Sequence, residues 1–193
     1  RHSRDGFRWW ISRVEKQFER FDILRIDHFI GFHHLWQIPG RARSARRGRW
    51  SRTPGRALLE HLFKALDDPP LVAEDLGRGT PAVRRLRDEF ALPGLYLLQH
   101  AFEREEARWF LSGLPERSIV YPGTHDDDTT EGWWTRLSRE DRRRVREVGR
   151  GHGKRASEIL TGLALASNAN TAIIPMQDLL GLGSQARMNR PGV

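Results

Sequence analysis

The sequence contains no cysteine, which removes disulfides, thiolate metal ligands and cysteine nucleophiles in one step. Lysine is nearly as scarce. Lys16, Lys64 and Lys154 are the only lysines among 33 basic residues, so the net charge of +8 is an arginine charge. No apolar run approaches the roughly 20 residues of a membrane-spanning helix, and no charged-then-apolar signal segment opens the chain. No membrane partner is expected, and the cytoplasm is the default compartment. No internal repeat, low-complexity tract or dividing linker is visible. Nor are the charges segregated by sign: most arginines alternate with Glu or Asp, as in Arg84-Arg85-Leu86-Arg87-Asp88-Glu89, the pattern of a solvated helix face with local ion pairs. Only Arg41 to Arg52 is densely basic, with six arginines alongside Ser44, Gly48 and Trp50. An arginine-rich coding bias explains that excess as well as a ligand does, and no nucleic-acid partner is expected.

What the sequence does have is three acidic segments, each placed where a short apolar run ends. Asp27 follows Phe21 to Ile26, Glu74 follows Leu71 to Ala73, and Asp126 follows Ser118 to Tyr121. Carboxylates at the carboxyl ends of parallel strands converge at one end of a barrel, where barrel enzymes keep their active sites. Converging carboxyl groups suit glycoside chemistry, in which one attacks or stabilises an oxocarbenium-like centre and another protonates the leaving oxygen. A divalent-metal site is the rival use of clustered carboxylates, and a single acidic residue at a strand end also serves as a turn former or helix cap.

Periodicity supports an alternating α/β chain. Phe7, Trp10, Ile11, Val14 and Phe18 recur at helical spacing over Gly6 to Arg20. A Gly/Arg/Pro-bearing loop runs from about Gly31 to Pro54, and Leu58, Leu59, Leu62, Phe63 and Leu66 mark a helix that Pro69-Pro70 terminates. Thr80-Pro81 reads as a helix start, with threonine as the cap. Leu92 to Leu98 and Ala172 to Pro175 read as further strands, and Ser138 with Asp141 resembles a capping box opening a charged helix to about Arg150. A helix Lys154 to Ser167 follows. Strands joined by helical crossovers imply a parallel sheet. At 193 residues the chain is shorter than the roughly 250 of a complete eight-stranded barrel, and it opens in Arg1-His2-Ser3 with no initiator methionine. A fragment is expected.

The segments Phe21-Asp22-Ile23-Leu24-Arg25-Ile26-Asp27-His28-Phe29, Ala73-Glu74-Asp75-Leu76-Gly77, Gly123-Thr124-His125-Asp126-Asp127-Asp128-Thr129 and Pro175-Met176-Gln177-Asp178-Leu179-Leu180-Gly181 closely resemble the amylomaltases. These are 4-α-glucanotransferases of glycoside hydrolase family seventy-seven, relatives of the α-amylases. Gly48-Arg49-Trp50, Leu92-Pro93-Gly94 and Arg187-Met188-Asn189-Arg190-Pro191-Gly192 extend the similarity almost from end to end. The resemblance implies a partial (β/α)8 TIM barrel, strands four to eight with their helices, as a single catalytic domain over residues 1–193. The earlier strands and the last helix would be missing. It implies no metal and no organic cofactor, and α-1,4-glucans and malto-oligosaccharides as partners, together with the missing amino-terminal part of the same enzyme.

Carried over by position, the resemblance makes Asp27 the nucleophile, Glu74 the acid/base and Asp126 the third carboxylate. A retaining mechanism sets the first two roughly 5 Å apart and needs an ionised Asp27 beside a protonated Glu74. Arg25, two residues before Asp27 on the same strand face, is expected to place a positive charge beside the nucleophile from within an apolar strand. Asp126 is expected to bind ring hydroxyls of the donor sugar with His125 beside it, and His28 joins the substrate-binding set. Asp127 departs from the family pattern, which more often has asparagine, and a second carboxylate there is expected to act on Asp126 by like-charge repulsion. Gln177 and Asp178 end the last strand, as either site or structural residues. Trp36, Trp50, Trp133 and Trp134 are candidate sugar platforms or core packing. The competing functions are an α-amylase-type hydrolase, in which water takes the place of the acceptor sugar, and a catalytically inactive carbohydrate-binding remnant. An isolated fragment is expected to self-associate through open sheet edges at Phe21 to Ile26 and Ala172 to Pro175 and to have little activity alone.

Overall fold

The computed structural model describes residues 5–76, 81–103 and 113–191, and the chain folds as two compact units, residues 1–94 and 95–193. In the first unit, helix α1 (Arg8–Phe18) begins two residues later than its periodicity suggests, because Phe7 is buried and adopts a left-handed backbone with φ 59°. Its apolar stripe of Trp10, Ile11 and Val14 packs on Leu58 and Leu62 of α2 (Gly55–Leu66). That helix ends before the proline pair. Asp67 and Asp68 both take positive φ, and the left-handed turn at Asp67 closes it.

Strand β1 (Leu24–Ile26) is half as long as the apolar run that announces it, and Phe21 and Ile23 are exposed. The partner explains the difference. β1 pairs in parallel with β4 (Leu71–Ala73), which starts directly after Pro69-Pro70, and prolines have no N–H to extend a ladder. β4 is buried along its whole length and meets the first residue of β5 (Gly94–Leu97) through Ala73 and Gly94. Between β1 and α2 the expected loop contains an antiparallel hairpin, β2 (His34–Gln37) and β3 (Arg49–Arg52). Helix α3 (Pro81–Glu89) buries Val83 and Leu86 against Phe29, Leu59 and Leu71; the Thr80 cap lies outside the described residues.

In the second unit, the sequence expected to be one strand through Leu98 turns instead into helix α4 (Leu98–Glu103) after Leu97. β6 (Ser118–Tyr121) follows its apolar run to the residue, and lies between β5 and β7 (Thr171–Ala172), pairing with β7 in parallel. The last strand is shorter than Ala172 to Pro175: only one more backbone bond, from Ile173 N–H to Val120 C=O, continues it before Pro175 opens α8 (Met176–Leu179). Helix α5 (Thr130–Arg136) is capped by the Thr129 hydroxyl, which accepts from Gly132 N–H. Helix α6 (Arg139–Val148) has Ser138 as its cap, accepting from Asp141 N–H as the sequence predicts. In α7 (Ala156–Leu165) Glu158 reaches back to the N–H groups of Lys154 and Arg155, and these bonds push its carboxyl down to about 2. The core of this unit gathers Leu98, Phe102, Val120, Trp133, Val145, Leu160 and Leu163.

Candidate active site

In the first unit, Asp27 and Glu74 each stand one residue past the carboxyl end of neighbouring parallel strands, whose last residues Ile26 and Ala73 are in register. Adjacent strands run about 4.8 Å apart, so the two acidic residues leave the sheet side by side. Glu74 then fastens the turn that carries Asp27. Its Oε2 accepts from His28 N–H at 2.7 Å, its backbone C=O accepts from Phe29 N–H at 2.8 Å, and its own N–H donates to Ile26 C=O at 2.9 Å. His28 is left-handed, φ 51° and ψ 54°, a conformation that costs a β-carbon-bearing residue about 1–2 kcal/mol. Fully buried Phe29 on one side and the Glu74 bonds on the other hold it there. The second Glu74 oxygen, Oε1, accepts from Leu76 N–H at 3.0 Å.

Arg25 reaches Asp27 as expected, Nη1 donating to Oδ1 at 2.7 Å, but not from an apolar interior: Asp27 is 74% exposed and Arg25 also meets solvent. The short β1 leaves Arg25 on an open face, so the guanidinium orients the carboxylate through a solvent-exposed ion pair rather than a buried one. His28 contributes its backbone N–H to Glu74. A residue that patterning assigned to a solvated helix face is instead buried here. Arg87 Nη1 donates to Asp75 Oδ2 at 2.6 Å, with the two side chains 11% and 7% exposed. The pair braces the residue next to Glu74. Its only sequence signal is the position of Arg87, one turn on from buried Val83 and beside buried Leu86.

In the second unit, Asp126 lies in the loop that follows β6. Asn189 Nδ2 donates to its Oδ1 at 2.5 Å, Arg187 Nη2 donates to its backbone C=O at 2.9 Å, and His125 Nε2 is 3.4 Å from its Oδ2. Both anchors come from the Arg187-to-Gly192 segment, to which sequence reasoning gave no role; Gly192 lies outside the described residues, as does Gly77 of the Glu74 segment. Asp127 turns away from Asp126. Its Oδ2 accepts from the Thr124 N–H and hydroxyl, and its Oδ1 is 3.0 Å from His100 Nε2. Burial pushes the Asp127 carboxyl up, yet the bonds with His100 and Thr124 outweigh it, and the group lies below its ordinary value. The added carboxylate is thus absorbed by its own partners, contrary to a role on Asp126.

Asp128 and Asp178 form the frame beneath the loop. Asp128 accepts from Thr129 N–H, the Ser184 hydroxyl and Arg136; burial raises its carboxyl, and these partners bring it below normal. Asp178 is buried and takes both the N–H and the hydroxyl of Thr130, at 2.7 and 2.9 Å, and burial holds its carboxyl above normal. Asp178 thereby ties its helix to the start of α5, while Gln177 beside it lines a crevice of about 10 Å³, room for roughly one water. Of the four tryptophans, Trp133 is core and donates to Glu103, and Trp134 lies under Arg142 and Arg146. Trp36 and Trp50 are exposed on the hairpin, paired across it with centroids 5.4 Å apart. Among the described residues no three His, Asp or Glu side chains are grouped to hold a metal ion, and no helix is long and apolar enough to cross a membrane.

A family model described as 4-alpha-glucanotransferase matches residues 1–193. The chain is similar to the 4-alpha-glucanotransferase of Aquifex aeolicus, 42% identical over 99% of this chain and 40% of that protein. It is likewise similar to that of Synechocystis sp., 44% identical over 97% of this chain and 38% of the relative. A relative from Solanum tuberosum, 41% identical, is named as chloroplastic/amyloplastic. Among solved structures, the amylomaltase from Streptococcus agalactiae in complex with acarbose superposes with a TM-score of 0.94 at 31% identity, over all of this chain and 39% of that one. The chain therefore spans about 40% of the length of the proteins it matches.

Proposed function

The chain belongs to the 4-alpha-glucanotransferase family, and from that premise we propose that it carries the reacting carboxylates of an enzyme that moves α-1,4-glucan segments between malto-oligosaccharides. In this reading the fold is part of a (β/α)8 barrel, strands four to eight, in a cytoplasmic protein. The observation that most supports it is the pairing of Asp27 and Glu74 at the ends of neighbouring parallel strands, with Glu74 bonded to the turn that carries Asp27.

The chemistry is a double displacement. An Asp27 oxygen attacks the anomeric carbon while Glu74 gives its proton to the departing O4, so the glycosidic C–O bond breaks as the Asp27 ester forms. The 4-hydroxyl of a second glucan then passes its proton to the Glu74 carboxylate and attacks the same carbon, releasing Asp27. Both inversions together retain the α configuration. Arg25 keeps the Asp27 carboxylate turned toward its own side of the turn, and His28 sets the backbone between the two reacting groups. Asp126, oriented by Asn189 and flanked by His125, is the acceptor for donor-sugar hydroxyls, whose hydrogen bonds strengthen in the transition state.

Incubating the full-length protein with maltotriose tests the proposal. A ladder of products longer than maltotriose is the expected result. Glucose and maltose without longer products would make it a hydrolase, and unchanged maltotriose would make it a remnant.

A further inference from the structure

The charge of this protein is concentrated in one place. Residues 28–59 contain seven arginines and no Asp or Glu, and so hold seven of the eight net positive charges, leaving +1 for the other 161 residues. Elsewhere several arginines pair with carboxylates, as in Arg87–Asp75, Arg136–Asp128, Arg144–Asp141 and Arg155–Glu158. Within the segment, Arg56 at its far end pairs with Glu60 and Glu89. Arg41, Arg43, Arg46, Arg47, Arg49 and Arg52 have no carboxylate partner among the described residues, and all six are exposed. A coding preference for arginine does not explain this, since it acts on the whole chain and does not remove acids from 32 consecutive residues. Like charges crowded on one hairpin repel one another, and among the described residues no carboxylate pairs with them.

The hairpin also has a shaped surface. A groove of about 640 Å³ runs along its turn, lined by Gln37, Ile38, Pro39, Arg47, Gly48 and Arg49, within the usual size of a small-ligand site. Gly48 is what allows it: a β-carbon there would stand 2.5 Å from Trp36 Nε1 and 2.7 Å from the Gln37 C=O. Trp36 is fixed in turn by its Nε1 donating to the Ala45 C=O at 2.8 Å. The groove thus combines guanidinium forks with an apolar floor and an adjoining, immobilised indole. The opposite end of the hairpin is tied to the helical turn that follows Asp27, Phe29–Phe32, through Thr53, whose hydroxyl donates to the Gly31 C=O at 2.8 Å and whose N–H donates to the His33 C=O at 3.2 Å.

We propose that this arginine hairpin is a binding site for phosphate monoesters carried on glucan chains. The two guanidinium forks that line the groove, Arg47 and Arg49, match the oxygens of a phosphate dianion, each capable of a bidentate contact, and the apolar floor and indole suit the pyranose ring that bears the phosphate. The hairpin makes a glucan the carrier: four strand residues, about 13 Å, separate the groove from the bonds that tie the hairpin to the turn after Asp27, a span that an oligosaccharide covers. This rests on the glucan reading above. The site would let the enzyme engage phosphorylated glucans in preference to neutral ones, with an affinity that falls as salt rises.

Titration calorimetry on the full-length protein at low ionic strength tests it, using four probes: maltotriose, a 6-phosphorylated malto-oligosaccharide of the same length, inorganic phosphate and a single-stranded oligonucleotide. The phosphorylated sugar is expected to bind about tenfold more tightly than maltotriose, a difference of about 1.4 kcal/mol. The triple substitution Arg46→Gln, Arg47→Gln, Arg49→Gln, which takes both lining arginines, removes that preference, and Arg143→Gln, an exposed arginine paired with Glu147 on α6, keeps it. The matching Arg→Lys triple, which retains charge but not the fork, falls between the two. Equal binding of the two sugars, or a preference that survives the Gln triple in a protein with an unchanged melting curve, overturns the proposal. So does inorganic phosphate binding as tightly as the phosphorylated sugar, which would leave the sugar no part, or tighter binding of the oligonucleotide, which would make the hairpin a nucleic-acid surface. Maltotriose disproportionation by the same preparation reports on the transferase reading separately, since the contrast between phosphorylated and neutral sugar needs no turnover.

Discussion

Replacing Arg87 by methionine removes a buried charge while keeping much of the side-chain volume, and its consequence follows from the exposure of the pair. Arg87 and Asp75 are 11% and 7% exposed and 2.6 Å apart, so water screens their attraction little. The second contact of Arg87, to Asp88, lies with a carboxylate that faces solvent and contributes on the order of 0.5 kcal/mol. Arg87→Met breaks this buried pair by removing one partner, which costs about 3–5 kcal/mol. A typical domain has about 5–15 kcal/mol in total, so the loss is a large part of the whole. Urea unfolding followed by tryptophan fluorescence and far-UV circular dichroism measures it. The double replacement Arg87→Met with Asp75→Leu should recover most of the loss, because an apolar pair of similar volume is often neutral relative to a buried ion pair, and the resulting coupling isolates the interaction. A loss below about 1 kcal/mol, the range of an exposed pair, would refute the reasoning. Because Asp75 adjoins Glu74, Arg87→Met should also lower turnover at temperatures where the protein remains folded.

Two further outcomes follow from groups outside the reacting pair. Burial raises the Asp178 carboxyl above its unfolded value, so its contribution to stability is full below that value, about 4, and is lost as pH rises through the folded one. Asp178→Asn keeps an acceptor for the Thr130 N–H, and its melting temperature relative to the parent should therefore improve as pH rises from 4 to 8 (roughly, from the reference values); a difference constant across that range counts against the assignment. Gly48→Ala should spread the hairpin, because the new methyl meets Trp36 and the Gln37 C=O. The near-ultraviolet signal of the Trp36–Trp50 pair is expected to weaken while the far-ultraviolet spectrum is kept, and an unchanged near-ultraviolet spectrum would show that the turn has room for a side chain.

The elements most legible in the sequence are those whose own residues decide their state. β4 and β6 are short apolar runs buried on both faces, and they appear where the runs lie. Ser138 caps α6 through the local bond its spacing predicts. The misreadings share a cause: something distant in sequence sets the outcome. β1 is cut short by the prolines before its partner, not by its own apolar residues. The β2–β3 hairpin is mostly exposed, so no alternation of apolar and polar residues announces it, and cross-strand pairing of Trp36 with Trp50 is visible only once folded. At the candidate site, Asp27, Glu74 and Asp126 stand out as acidic residues ending apolar runs. The residues that hold them, Arg87 through Asp75 and Asn189 through a side-chain bond to Asp126, carry no local mark, because an arginine on a charged helix looks solvated until its depth is known.

The central claim is that Asp27 forms the covalent bond to sugar and Glu74 moves the proton. The most direct test is to treat full-length Glu74→Gln protein with α-maltosyl fluoride, a donor whose leaving group needs no protonation, and to map the product by peptide mass spectrometry. The account predicts a maltosyl increment on the peptide containing Asp27, slow to turn over because the substituted amide cannot take the acceptor's proton, and no increment in the Asp27→Asn, Glu74→Gln double variant. A maltosyl group on another peptide, or an Asp27→Asn protein that disproportionates maltotriose at the parent's rate, would contradict it.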